Sequence, residues 1–428
     1  MLSRIPSPAK IRQPRHYAAF QCIGAACEDT CCNGWGVVVD RETYDKYREC
    51  RDPDLKASLE KLIQIDGPEA SDDRYATIQL SGTQCPFLSE GLCSIQMRLG
   101  EAYLAKTCTT FPRVMNLVDG VLEKSLELSC PEASRLALLN PGLMEFEDID
   151  RGQDTSRIGH LASLDTSAPE YPDKPYLYFP EIRRLILSLL QTRAYPLWKR
   201  LVILGYLCDK LHELASGGSR QDIPRILQGY AEAIQGRLFD EELSQYRARP
   251  EVQIEIALEL MVSRIGSDFT PERFLSCYRD FMRGIGWTPE STMDSIGATY
   301  ADACSQYYAP FMNEHEYMLE HYLVNYAYRT LFPFGPQESQ RPLGLYGGRN
   351  TVGGQYRLMI AYYAVIKALL IGIAGVRKST MGAGDLIKVV QSCAKTFEHS
   401  LAYPNRALQI LAGRGMTDAA SMAVLILN

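Results

Sequence analysis

No histidine lies between Cys22 and Cys130, although nine of the chain's 13 cysteines fall in that interval. That removes the mixed Cys/His ligand set of most small zinc modules. No two cysteines stand two residues apart, so the redox CxxC pair is absent too. The radical S-adenosylmethionine triplet CxxxCxxC also fails: Cys27 and Cys31 supply its first half, but residue 34 is Gly34. The N-terminal stretch MLSRIPSPAKIRQPRHY has basic residues and prolines without an apolar core, so it does not read as a secretory signal. Positive charge is not in excess either. Lys and Arg number 45 against 51 Asp and Glu, for a net charge of -6 and a pI near 5.7. Such a balance argues against broad nucleic-acid binding. Long apolar runs are few, and the longest, Ile360–Val376, is interrupted by Lys367; it reads as a buried helix rather than a membrane span. These exclusions point to a cytoplasmic protein without membrane or nucleic-acid partners, whose thiols stay reduced.

What is present is an uneven distribution of thiols in a chain of ordinary globular composition, 46% hydrophobic and 22% charged over 428 residues. Cys22-x4-Cys27-x3-Cys31-Cys32 opens the series, and Cys85-x7-Cys93-x14-Cys108-x21-Cys130 continues it. Cys50 lies outside both groups and reads as an ordinary thiol. Cys208, Cys277, Cys304 and Cys393 are scattered through the remainder and read as small buried hydrophobes. All-thiolate ligation suits both structural zinc and an iron–sulfur centre. The proline after Cys85 and after Cys130 matches the last ligand of bacterial ferredoxins, so both chemistries remain open.

The pattern of elements is mainly α, with a small α+β cysteine-rich N-terminal region and a helical C-terminal domain. Residues 1–16 read as an arm, 17–140 as the cysteine-rich metal-binding domain, 141–175 as an acidic, proline-bearing linker and 176–428 as the helical domain. Trp35–Asp40 and Arg74–Leu80 read as strands, and Asp40 as the cap of a helix over RETYDKY. Met115–Leu128 carries a hairpin signal at Asp119-Gly120. Apolar periodicity at Ile182, Leu185, Ile186, Leu189 and Leu190 opens the helical part. Thr270-Pro271-Glu272 reads as a cap followed by proline at the first helical position. Further helices are expected over 251–264, 313–331, 354–375, 384–398 and 404–427, without a fixed-period repeat.

Three segments resemble the flagellin lysine-N-methylases of the FliB type, which carry a YkgJ-like cysteine cluster. They are FQCIGAACEDTCCNGWGVVVDRETYDKY, CPFLSEGLCSIQMRLGEAYLAKTCTTFPR and LSCPEASRLAL, and LEHYLVNYAYRTLFPFG downstream is similar as well. The resemblance is strong over about a third of the chain. It implies a [4Fe–4S] protein that methylates surface lysines of flagellin from S-adenosylmethionine. Carried over, the ligand candidates are Cys22, Cys27, Cys31, Cys32, Cys85, Cys93, Cys108 and Cys130, of which one cubane needs four. A zinc- or cluster-stabilised module that binds a protein partner without catalysis is the alternative.

Methyl transfer needs a neutral lysine held in line with the sulfonium, but the sequence shows no glycine-rich loop after a strand to hold the donor. Gly382-Ala383-Gly384-Asp385 reads as a junction between helices, and Gly347-Gly348-Arg349 with Gly353-Gly354 as a connector or an anion cradle. Glu314, His315, Glu316, Glu320 and His321 lack metal-ligand spacing and read as a solvated face. Arg113, Asn325, Tyr326 and Arg329 are the candidates for a cleft shared by the TCTTFPR and LVNYAYRTLFPFG stretches, where guanidinium groups would hold the methionine carboxylate of the donor.

Overall fold

The structure is a computed structural model that describes residues 10–34, 36–67, 70–150, 162–167, 175–217, 220–266, 270–335, 351–400 and 402–427. Its ten described strands are β1 (Lys10–Pro14), β2 (Val37–Val39), β3 (Ile63–Ile65), β4 (Ala76–Ile78), β5 (Leu88–Ser89), β6 (Leu92–Cys93), β7 (Arg113–Val118), β8 (Val121–Leu126), β9 (Phe146–Asp150) and β10 (Ala162–Leu164). They form a five-stranded sheet in the order β10-β7-β8-β1-β9, a three-stranded sheet β2-β4-β3 and the hairpin β5-β6. The large sheet is mixed: β1 runs parallel to β8 and antiparallel to β9.

Local chemistry accounts for most of these elements. Asp119 and Gly120 both take positive φ, 47° and 77°, as the tight turn between β7 and β8 demands. Helix α1 (Arg41–Arg48) starts at Asp40, whose carboxylate accepts from the Thr43 amide at 3.1 Å. Helices α2 (Pro53–Leu62), α3 (Ser94–Leu99) and α4 (Lys106–Thr110) surround the three-stranded sheet, and α5 (Pro131–Leu138) follows the large one. The stretch 1–16 contributes β1 to the large sheet, and 141–175 contributes β9 and β10.

From residue 175 the described chain is helical: α6 (Phe179–Leu190), α7 (Leu197–Gly217), α8 (Ile223–Gln235), α9 (Asp240–Leu243), α10 (Pro250–Val262), α11 (Glu272–Gly284), α12 (Met293–Ala303), α13 (Ala309–Arg329), α14 (Val352–Arg377), α15 (Ala383–Cys393), α16 (Tyr403–Gly413) and α17 (Ala419–Ile426). This bears out the mainly α fold with a small stranded N-terminal region. Helix α14 runs through the middle of the helical part. Its stretch Val352–Thr380 is long and apolar enough to cross a membrane, but 89% of the most apolar window is buried inside the protein. Lys367 interrupts that run for a reason: its Nζ donates to the carbonyls of Ile426 (3.0 Å) and Leu427, the end of α17. Burial brings Lys367 down to about 7. Helix α11 crosses α14 at backbone contact, for a Cβ built on Gly284 would lie 1.6 Å from the Gly372 carbonyl oxygen.

Three local expectations are corrected. Pro271, not Thr270, occupies the cap position of α11, and the buried Thr270 hydroxyl has no partner among the described residues. The expected helix 404–427 is two helices, broken where Gly415 takes φ +72°. Glu320 and His321 are buried rather than solvated. Arg193 and Arg200 converge on the Glu320 carboxylate, Arg200 at 2.6 Å, and the His321 nitrogens stand 2.9 Å from the carbonyls of Ala137 and Gly142. The expected junction at Gly382 holds, because Asp385 turns back to accept from the Gly382 amide at 3.1 Å. The segment Gly347-Gly348-Arg349 lies outside the described residues.

Candidate metal centre and its junction with the helices

Cys32, Cys85, Cys93 and Cys108 share one small apolar core with Val37, Tyr47, Phe87, Ile95 and Ala105. Backbone pairing sets that grouping. The Cys85 amide donates to the Cys32 carbonyl at 2.9 Å, and Cys93 sits opposite Leu88 in the β5-β6 hairpin. Cys108 lies on α4, which is tied to β2 by the Thr107 hydroxyl on the Val38 carbonyl and the Lys106 amide on Asp40. Burial first, then the neighbouring thiols Cys32 and Cys93, raise Cys85 to about 11; Cys93 and Cys108 are raised for the same reasons. Thiols so placed lose their protons readily only to a cation.

Cys130 belongs to a different apolar core, with Tyr17, Phe20, Leu126 and Ala133. Burial raises it to about 11, with Cys27 and Cys22 adding to the effect. Cys31 hydrogen-bonds to Cys32, which raises Cys31 and lowers Cys32; Thr30 and Lys395 help to lower Cys32. Cys22 and Cys31 are exposed, whereas Cys85 and Cys130 are buried. Among the described residues no three His, Cys, Asp or Glu side chains converge closely enough to form a ready ion site. The donor chemistry nevertheless fits a thiolate-bound metal. The hydroxyl of buried Tyr47 has no hydrogen-bond partner among the described residues. Tyr47 shares the core of Cys85, against which Cys93 and Cys108 also pack, and burial first, then Cys108 and Cys93, disfavours its ionisation.

The helical half grips the loop that carries Cys27, Cys31 and Cys32. Lys395 Nζ donates to both Asp29 carboxylate oxygens at 2.9 Å and to the Thr30 carbonyl at 2.7 Å. Gln391 Nε2 donates at 2.8 Å to Asp29 and at 2.8 Å to the carbonyl of Ser129, the residue before Cys130. Arg273 of the helical half reaches Glu28 at 3.4 Å, and Arg135, on α5 of the N-terminal part, holds the same Glu28 at 2.6 Å. Lys395 and Glu398 lie in a π-helical turn, Ala394–Glu398, that continues α15.

Beside this grip is a buried charge network. Arg329 donates to Glu127 at 2.9 Å and also pairs with Glu398, which accepts from the Tyr322 hydroxyl at 3.0 Å. His399 Nε2 is 2.6 Å from Glu127 and 2.9 Å from the Ser129 hydroxyl. Burial works against the charge on Glu127, but His399 and Arg329 overcome it and hold the carboxyl at about 2. His399 is raised: burial opposes its charge and Glu127 more than compensates.

The LVNYAYRTLFPFG stretch meets the β7-β8 hairpin that follows TCTTFPR. Asn325 Nδ2 donates to the Leu126 carbonyl at 3.1 Å, and Leu126 pairs with Arg113 across β7-β8. Asn116 Nδ2 donates to the Arg329 carbonyl at 2.9 Å. The Arg113 guanidinium lies over the Phe20 ring, 4.9 Å from its centroid, and Tyr326 packs edge-on against Tyr362. Asn325 Oδ1 is buried with no partner among the described residues. The Arg329 charge, by contrast, is already committed to two carboxylates. Residues that sequence reasoning missed are Tyr47, Glu127, Gln391, Lys395, Glu398 and His399; of these only Tyr47 stood in a quoted segment, as did Asp29, inside CEDTCC.

A family model described as the FliB lysine N-methylase C-terminal domain matches residues 183–425, more than half of the chain. The lysine-N-methylases of Salmonella typhimurium and Salmonella choleraesuis are each 30% identical over 141 residues, 32% of this chain and 35% of theirs. The flagellar biosynthetic protein FliU of Salmonella muenchen is 31% identical over 137 residues, 31% of this chain and 80% of its own. The chain thus spans about a third of the length of the curated lysine-N-methylases it matches. No solved structure matches.

Proposed function

Because the chain belongs to the FliB lysine N-methylase family, we propose that it methylates protein lysines, with flagellin as substrate, S-adenosylmethionine as donor and an iron–sulfur centre on the N-terminal thiols. Family membership carries the reading. The relatives named lysine-N-methylase support the reaction class, and the one named for flagellar biosynthesis supports the substrate. In the transfer a neutral lysine Nζ bonds to the methyl carbon, the carbon–sulfur pair leaves with sulfur and a proton leaves the nitrogen. Bound to thiolates, a [4Fe–4S] centre supplies a fold-closing ligand set and one-electron chemistry. Zinc on the same thiols would supply only the first of these.

The chain's own contribution, on this reading, is placement. We assign Arg113, Asn325, Tyr326 and Arg329 to the donor side. Asn325 offers a buried oxygen without a partner, and Arg113 and Tyr326 flank the same β-ladder and helix. Arg329 would act through the Glu127–His399–Glu398 network rather than as a free cation. The cysteine-rich part, 17–140, and the helical part, 176–428, would share the site across this junction.

The test is anaerobically purified protein with S-adenosylmethionine and flagellin, read by intact mass. Stepwise gains of one methyl on lysine are expected. A metal-loaded protein that leaves flagellin unmodified would overturn the proposal in favour of a binding module. If the metal-stripped protein methylates equally well, the centre has no part in the transfer.

A further inference from the structure

We propose that the groove between β9 and α6 docks an extended segment of the protein substrate, which adds to the outer edge of β9, sets a large apolar side chain in the groove and brings an acidic residue to Arg184. The identity of the occupant rests on the reading of this chain as a protein methylase. The groove measures about 390 Å³, within the range of about 300–1,000 Å³ of ligand pockets. Its apolar wall is Phe146, Pro180, Leu187 and Tyr328, and the rings of Phe146 and Tyr328 lie 4.6 Å apart by centroid. Such a wall takes an apolar side chain.

The polar wall is fixed in advance, with one charge left over. Glu123, Arg12 and Asp148 stand opposite one another on β8, β1 and β9, so they form a row across one face of the sheet. Arg12 is bound to both oxygens of Asp148, at 2.7 and 2.9 Å, and Arg183 reaches across from α6 to Glu123 at 2.6 Å. Arg183 also lies over the Tyr328 ring, 5.4 Å from its centroid, and the Tyr328 hydroxyl donates to the Arg12 carbonyl at 3.0 Å. Two of the three arginines that line the groove are thus neutralised. Arg184 is the third; it is exposed and pairs with no carboxylate among the described residues. A free guanidinium beside an apolar wall selects a carboxylate on the ligand, which it can hold bidentately.

The adjoining strand says why the ligand is a stretch of chain. β9 is the last strand of the five-stranded sheet and pairs only with β1 among the described residues, so its other edge offers unpaired amides and carbonyls. An extended peptide adds to such an edge through its backbone, and a pocket beside the edge reads its alternate side chains. Phe146 and Asp148, two residues apart on β9, both line the groove. An apolar residue and an acid two positions apart on the added strand would likewise share that face. The groove also adjoins the junction described above. Tyr328 lines it, while the next residue on α13, Arg329, holds Glu127 and Glu398. Glu123 and Glu127 are four residues apart, about 13 Å of extended chain, so a docked segment keeps a lysine a few residues away within reach of that junction.

The experiment measures the Kd of purified flagellin for the full-length protein, together with kcat and KM for its methylation. The variants are Arg184→Glu, Arg184→Lys and Phe146→Ala. Arg184→Glu and Phe146→Ala should each raise Kd and KM about tenfold, as loss of an interface anchor does, with kcat unchanged. Arg184→Lys should restore most of the binding. Because Arg184 is exposed, Arg184→Glu should melt as the wild type does, which separates lost docking from lost folding. Wild type that binds flagellin but transfers no methyl would defeat the methylase reading alone. Wild type that does not bind flagellin would defeat both. Wild type that methylates flagellin, with Kd and KM unchanged in Arg184→Glu and Phe146→Ala, would overturn the docking groove and leave the methylase reading standing.

Discussion

Replacing Arg329 by methionine should destabilise the protein by about 3–5 kcal/mol, the cost of removing one partner from a buried ion pair. The structure says why this arginine belongs in that range. Its side chain is only 3% exposed, and the two carboxylates it neutralises, Glu127 and Glu398, are 15% and 8% exposed. Methionine fills much of the volume but leaves Glu398 with only the Tyr322 hydroxyl and Glu127 with only His399 and Ser129. At about 2 °C per kcal/mol for a chain larger than a small domain, the melting temperature should fall by about 6–10 °C at pH 7. The loss comes from stranded charge rather than lost packing, so the triple variant Arg329→Met/Glu127→Gln/Glu398→Gln should recover most of it. The deficit of the single variant should also shrink on acidification, as the stranded carboxylates take up protons. Thermal melting of the wild type and both variants across pH 5–8 decides the matter. A single variant within about 1 kcal/mol of wild type, or a triple variant no better than the single, would refute the argument.

The Glu127–His399 pair should give stability a bounded pH window. Glu127 is held below its ordinary value, so its contribution is present above about pH 4.5 and is lost as pH falls towards 2; His399 is raised, so its contribution is full below about pH 6.5 and is lost as pH rises through its folded value. The stability gap between wild type and His399→Gln should therefore be widest between those limits, and a gap that grows from pH 7 to 9 would contradict the assignment. Gly284→Ala should destabilise by more than the usual 1–3 kcal/mol of overpacking, because its new carbon meets the Gly372 backbone rather than a movable side chain; a melting temperature near wild type would show that the two helices can separate cheaply.

The parts of this fold that were legible in the sequence are those whose cause is local. Asp119-Gly120 specifies its turn without outside help, and Asp40 caps α1 from within three residues. The core helix around Ile360 was legible because nearly every position is apolar. Lys367 was not, because its partners lie at Ile426 and Leu427, about sixty residues on. Glu320 and His321 misled for a related reason. A run of acids and histidines on a helix looks solvated until Arg193 and Arg200 arrive from more than a hundred residues away. The thiols stood out by type and crowding alone, but not their sorting into cores, which depends on which strand and hairpin each one joins.

The same distance rule explains why the junction left no trace in the letters, and it bears on how the two halves act together. Lys395 and Asp29 are 366 residues apart, and Gln391 bridges Asp29 to Ser129 from the same helix. Between Cys393 and His399 that helix widens into a π turn, and such turns often mark functional sites because the extra residue re-aims the side chains that follow. Here Lys395 is directed at the thiol loop and Glu398 at Arg329, so one turn of backbone joins the loop to the charge network. A displacement of the loop that carries Cys27 and Cys31 would move Asp29 first, and through Gln391 and Lys395 would reach Ser129 and the helix that carries Glu398, the partner of Arg329. The helices that match the methylase family model are in this sense the support on which the thiol loop is set, and their polar contacts with it are the route by which the two halves can constrain one another.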